Sequence, residues 1–130
     1  MSDADEILAV LNRRIAALQN CDAIAANAVL DRNLVAFEVA GPLQLSSAEA
    51  IDSALTQEWL DSFEDGPNVT MDELTIHADG SVAFCHSLNR LRGRRKDGHA
   101  VDVTLRSTLG LSKQDGAWKI VHGHTSIPAK

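Results

Sequence analysis

The side chains in this chain that could do chemistry are few and far apart. His122 and His124 stand two residues apart, His86 is alone, Arg106 interrupts a run of small and polar residues, and Glu38 sits in a short apolar segment. Side chains two apart on a strand point to one face, so His122 and His124 project together with Trp118 and Ile120. Two imidazoles at this spacing can hold part of a metal site. The sequence supplies no second His-x-His and no clustered acid to complete one, so no metal is expected, and the pair reads either as hydrogen-bonding groups in a cavity wall or as structural histidines. A charge in mid-strand must be paired or exposed, which leaves Arg106 as a carboxylate-binding group, an ion-pair partner of Asp102, or part of an interface.

The elements that would position these residues change in character along the chain. Ser2 or Asp3 can cap a first helix, with Leu8, Leu11, Ile15 and Leu18 at helical spacing as far as Asn20-Cys21-Asp22. Asp22 can cap a second, Ala-rich helix to about Leu30, with Ile24, Ala28 and Val29 as its apolar stripe. A brief strand follows in which Val35, Phe37 and Val39 alternate with Ala36, Glu38 and Ala40. The pattern turns Glu38 away from three core-type residues, and Gly41-Pro42 ends the strand. Ser46 and Glu49 form a capping-box pattern for a third helix, with Ile51, Leu55, Trp59 and Phe63 along one side until Gly66-Pro67. Trp59 reads as core or as a platform for a ligand.

From Val69 onward the pattern is that of strands. Asp79-Gly80, Asp97-Gly98 and Asp115-Gly116 are hairpin turn signals spaced 18 residues apart, which predicts four long antiparallel strands. Such a meander curls around whatever packs on its concave side, here the helices, and a cavity forms where the two diverge. With tight turns, Phe84, His86 and Leu88 share a face with Leu105, Leu109, Trp118, Ile120, His122 and His124, and that face opposes the helices. Asn89, Arg106 and Thr108 then lie on the other face. One bulge reverses this parity for everything beyond it, and would put Arg106 and Thr108 in the pocket instead.

Composition narrows the classes of function. At 130 residues, 45% hydrophobic and 23% charged, the chain reads as one folded domain over 1–130. A net charge of -6 repels phosphate backbones and anionic lipids, so neither nucleic acid nor membrane is an expected partner. Arg90, Arg92, Arg94, Arg95 and Lys96 concentrate the cations locally and read as a solvated hairpin tip or as an anion- or partner-binding patch. The apolar runs are far shorter than the roughly 20 residues of a membrane span. Acidic Met1–Glu6 is unlike a secretory signal, and Cys21 and Cys85 suit a reducing compartment as two inert thiols, so a cytoplasmic location is expected.

The ending Asp115-Gly116-Ala117-Trp118-Lys119-Ile120-Val121-His122-Gly123-His124-Thr125-Ser126-Ile127-Pro128, preceded by Arg106-Ser107-Thr108, resembles that of SnoaL-like proteins in the nuclear transport factor 2-like superfamily. It is also similar to the end of the association domain of calcium/calmodulin-dependent protein kinase II. Asn33 to Leu43, with Phe37-Glu38 and Gly41-Pro42-Leu43, resembles the family's first strand. The resemblance implies an α+β cystatin-like cone, with N-terminal helices packed on a strongly curved antiparallel sheet. It places Glu38 where isomerase and cyclase branches carry a general-base carboxylate, which can take a proton next to a carbonyl. The pattern alone makes Glu38 a solvated strand residue, and both readings stand.

The chain has no tyrosine, so the phenolic donor of the ketosteroid isomerases is missing, and Ser46-Ser47 replaces a common glycine. The expectation is a small-molecule cavity protein of isomerase, cyclase or dehydratase type. Glu38 would be its base, and His122, His124, His86, Arg106, Trp59 and Thr108 its wall groups. The alternative is a non-catalytic ligand-binding or dimerisation module. No cofactor is called for. The expected partners are a small hydrophobic or carboxylate-bearing ligand and a second copy of the chain packed through the sheet, where Val121 and Leu91 supply apolar members.

Overall fold

A computed structural model describes residues 1–129, with Ala48 described for its backbone only. The first helix, α1 (Asp3–Gln19), starts where a reciprocal cap can form. Ser2 Oγ accepts from the Asp5 backbone N–H at 3.1 Å, and the Asp5 carboxylate accepts from the Ser2 N–H at 3.1 Å. Ile7, Val10 and Leu11 form its buried stripe. The helix is pinned to the far end of the chain by Glu6, whose carboxylate accepts from Trp118 Nε1 at 3.2 Å and from Lys113 Nζ at 3.3 Å.

The second helix is one short turn, α2 (Ala23–Asn27), capped by Asp22 as expected. It ends three residues before the expected boundary because Leu30 already belongs to β1 (Leu30–Phe37). Its expected stripe is also displaced: Ile24 is 75% exposed, while Ala23 and Ala26 are buried.

The expected third helix is two helices, α3 (Ser47–Ala50) and α4 (Ser53–Asp61). Asp52 makes the break. Its side chain accepts from the N–H groups of Ala54 and Leu55 and so starts a new helix in mid-pattern, whereas Ser46 spends its hydroxyl on the Glu49 carboxylate and caps no backbone group. Leu60 and Phe63 carry this region into the core.

The four long strands are β2 (Asn68–Asp79), β3 (Val82–Arg94), β4 (Ala100–Gln114) and β5 (Ala117–Ser126), joined at the three Asp-Gly turns. Asp115 and Gly116 both have positive φ, 51° and 82°, as a two-residue hairpin turn requires. The sheet has five strands in the order β1-β5-β4-β3-β2, because β1 adds to the outer edge of β5 in parallel. The core lies between α1 and this sheet, with Ile7, Leu11, Leu111, Trp118 and Ile120 at its centre. Among the described residues no helix is long and apolar enough to cross a membrane.

Candidate functional site

Two irregularities sort the side chains of the four-stranded meander. Glu73, at φ 52°, marks a register shift between Asp72 and Thr75. A second shift lies between Gly110 and Leu111. Leu111 pairs with Ile120 and Gly110 with His122, which leaves Val121 unpaired. Trp118 and Ile120 therefore face the helices, and beyond the bulge it is Gly123 and Thr125 that face inward. His122 and His124 turn to the outer face.

On β3 and β4 the inward set is Cys85, Ser87, Asn89 and Leu91 opposite Leu109, Ser107, Leu105 and Val103. His86, Arg106 and Thr108 are exposed on the outer face. The expected wall is thus corrected: of its members only Glu38 and Trp59 line the cavity between helices and sheet, while Asn89, expected outside, does line it.

That cavity measures about 310 Å³ and is walled largely by aliphatic side chains from α1, β1 and the sheet. Its polar groups are Arg14, Glu38, Asn89, Ser107 and Thr125. Its size falls at the small end of the range for ligand sites.

Glu38 reaches the cavity because the parity of β1 is opposite to the expected one. Leu34 and Ala36 are each 4% exposed and face the core, so Glu38, two residues past Ala36, points the same way at the rim. Val35 and Phe37 face outward instead, Phe37 packing edge-on against His122 at 4.9 Å and His124 at 5.5 Å. Alternation tells which residues share a side but not which side is covered. At the rim Glu38 keeps contact with solvent, yet enough protein surrounds it to weaken its hydration. Burial pushes its carboxyl above the usual carboxylate range, and the charges of Arg14 and His124 oppose that rise.

Arg14 was not singled out from the sequence, although a signal was present. It lies three residues after Leu11 and four before Leu18, a cation on the apolar stripe of α1. Its Nη1 donates to the Ala26 carbonyl and, at 3.4 Å, to Asn27 Oδ1. Asn27 in turn donates to Thr56 Oγ1 at 2.8 Å and so ties α2 to α4. Burial lowers the Arg14 pKa, with Glu38 opposing, though a guanidinium stays charged throughout the working range.

The remaining candidates have definite settings. His122 Nδ1 lies 2.6 Å from the Val35 carbonyl, which a neutral ring satisfies by donating from that nitrogen. Arg106 Nε donates to Ser126 Oγ at 3.1 Å and does not pair with Asp102, which binds Arg90 at 2.8 Å. His86, Arg106 and Thr108 border a separate, more open depression on the outer face. Trp59 packs edge-on against Phe63, with their ring centroids 5.2 Å apart.

The basic stretch is largely occupied by local contacts. Arg90 holds Asp102, Arg94 approaches Glu64 at 4.0 Å, and Arg95 covers the Phe63 ring at 4.3 Å while bonding Ser62 Oγ. Cys21 and Cys85 are free thiols, and burial pushes Cys85 up to about 11, far from a reactive thiolate. Among the described residues no group of three or more His, Cys, Asp or Glu side chains gathers as a metal site would require.

Comparison with known proteins bears on the family and the fold. A family model described as a SnoaL-like domain matches residues 7–130. The fold is similar to that of a nuclear transport factor 2-like protein of unknown function from Pseudomonas putida KT2440. The two are 27% identical with a TM-score of 0.83, over 100% of this chain and 91% of that one. A Xanthomonas campestris protein, provisionally described as a calcium/calmodulin-dependent protein kinase II association domain, is 21% identical. Its TM-score is 0.82 over 100% of this chain and 91% of its own. A Streptomyces avermitilis protein, provisionally described as a dehydratase of the same superfamily, is 12% identical. Its TM-score is 0.83 over 98% and 97%. Among curated proteins none matches.

Proposed function

This chain belongs to the SnoaL-like domain family of the nuclear transport factor 2-like superfamily, and from that premise we propose that it is a small-molecule enzyme of isomerase, cyclase or dehydratase type with Glu38 as its carboxylate base. The observation that carries the reading is Glu38 at the rim of an apolar cavity, where lost hydration raises its pKa towards that of a useful base. In that position it can take a proton from carbon next to a carbonyl. Arg14, lining the same space, supplies positive charge that can orient an anionic group of the substrate. The Glu38→Gln change keeps the shape but removes proton abstraction, so turnover falls by about two orders of magnitude or more without loss of binding. Before a substrate is known, carboxyl-carbon magnetic resonance tests the same point. A Glu38 pKa above the ordinary value supports the base, and a solvent-like one removes it.

A second reading is a catalytically silent binding or dimerisation module, and the outer face of the sheet favours it. Phe37, Phe84 and Leu88 stand 37%, 49% and 39% exposed there. Leu91, expected to contribute to this face, lines the cavity instead. We propose that a second copy covers the outer face in either reading. Sedimentation at micromolar concentration should then give twice 14.0 kDa, and a clean monomer would sink the dimer.

A further inference from the structure

A guanidinium inside an apolar cavity is costly unless its donors are used, and Arg14 uses only part of its fork within the protein. Its Nη1 holds the Ala26 carbonyl and Asn27 Oδ1. Among the described residues neither Nε nor Nη2 of Arg14 has a protein acceptor. No buried side-chain nitrogen or oxygen there lacks a partner, so these two nitrogens must open onto space. The space that Arg14 lines is the cavity. Glu38, the other charged group on that wall, feels Arg14 electrostatically but makes no ion-pair contact with it. His124 adds positive charge near Glu38 from the outer face of β5 and does not reach Arg14.

We propose that the cavity binds a small, mainly aliphatic carboxylate, with its carboxylate held on Nε and Nη2 of Arg14 and its hydrocarbon part on the surrounding leucine, isoleucine and methionine side chains. This rests on the reading of the space as a ligand cavity and adds the chemical class of the ligand. Parallel N–H groups on one edge of a guanidinium match the two oxygens of a carboxylate, and a low-polarity wall strengthens the pair. Apolar side chains such as Leu18, Met71 and Leu109 line the same space and leave little polar surface to recognise a sugar or a nucleotide. A structural role for Arg14, joining α1 to the end of α2, accounts for Nη1 alone.

Octanoate and 1-octanol, matched in chain length, separate charge recognition from apolar filling. In calorimetric titration the wild-type protein should bind octanoate about tenfold more tightly than octanol. Arg14→Met should erase that preference while keeping octanol binding. Glu38→Gln, which removes the competing negative charge and leaves Arg14 intact, should tighten octanoate and leave octanol unchanged. This second variant decides the matter if Arg14→Met fails to fold. Equal binding of the two probes, a preference that survives Arg14→Met, or no tightening in Glu38→Gln would overturn the assignment of Arg14 while leaving the cavity reading in place. Failure of both probes to bind would overturn the two together.

Discussion

The two faces of one sheet have opposite characters, though they are built from the same strands. The inner face presents Leu105, Leu109, Leu111, Trp118 and Ile120 to the helices and encloses a cavity whose charged groups, Arg14 and Glu38, stand apart from each other. The outer face carries His77, His86, His122 and His124 among Phe37, Phe84 and Leu88, with His77 stacked on Phe84 at 4.7 Å. Chemically versatile residues are therefore the more numerous where nothing encloses them. The difference teaches that setting decides the direction in which a carboxylate is moved: at the cavity rim burial pushes Glu38 upward, whereas hydrogen bonds pull the exposed Asp5 and Asp102 down.

The largest effect that would sharpen this contrast is on the inner face. Trp118→Ala empties a site that is 3% exposed and frees Glu6 from its indole, so it should cost about 3–5 kcal/mol, read as a lower denaturant midpoint at unchanged slope. On the outer face His122→Ala removes the bond to the Val35 carbonyl and an edge contact with Phe37, and about 1 kcal/mol is expected from the same measurement. A cost for His122 equal to that for Trp118 would break the comparison.

Smaller, and specific in sign, is the pH response of Glu38. Its folded pKa lies above the unfolded value of 4.5, so it contributes stability that is present below that value and lost as pH rises through the folded pKa. Wild type minus Glu38→Gln should therefore slope downward with rising pH just above 4.5 and level off beyond the folded pKa. A flat difference would mean that Glu38 is hydrated as if unfolded. The smallest effect should come from Arg90→Ala. Arg90 and Asp102 pair at 2.8 Å, but their side chains are 46% and 56% exposed, so the denaturant midpoint should barely move and the difference should vanish in high salt.

Local signals in the sequence carried several of the helix starts and the turns. The Ser2 cap, the Asp22 cap and all three Asp-Gly turns stand where residue chemistry puts them, because each depends on neighbours within a few positions. What depends on distant partners was not legible. The side of β1 that is covered is decided by parallel pairing with β5, nearly ninety positions later, so alternation alone turned Glu38 outward while the family resemblance put it in the cavity that it lines. The bulge at Val121 left no mark in the residue pattern of β5, yet it sends His122 and His124 away from Trp118 and Ile120. Asp52 was hidden in a helix-compatible pattern, and only its bonds to Ala54 and Leu55 reveal the break. Arg14 was visible as a misfit on the stripe of α1, but its value depends on which of its nitrogens the protein leaves unused.

The unpaired residue at Val121 makes the chemistry of the cavity a matter of counting. Lose one codon at that point and the rest of β5 changes sides, bringing an imidazole pair inward while Gly123 and Thr125 turn out to solvent. The preceding hairpin turn at Asp115-Gly116 lies on the other side of Trp118 and Ile120 and is untouched by such a loss. One deletion thus separates a β5 wall of Gly123 and Thr125 from one that carries two imidazoles.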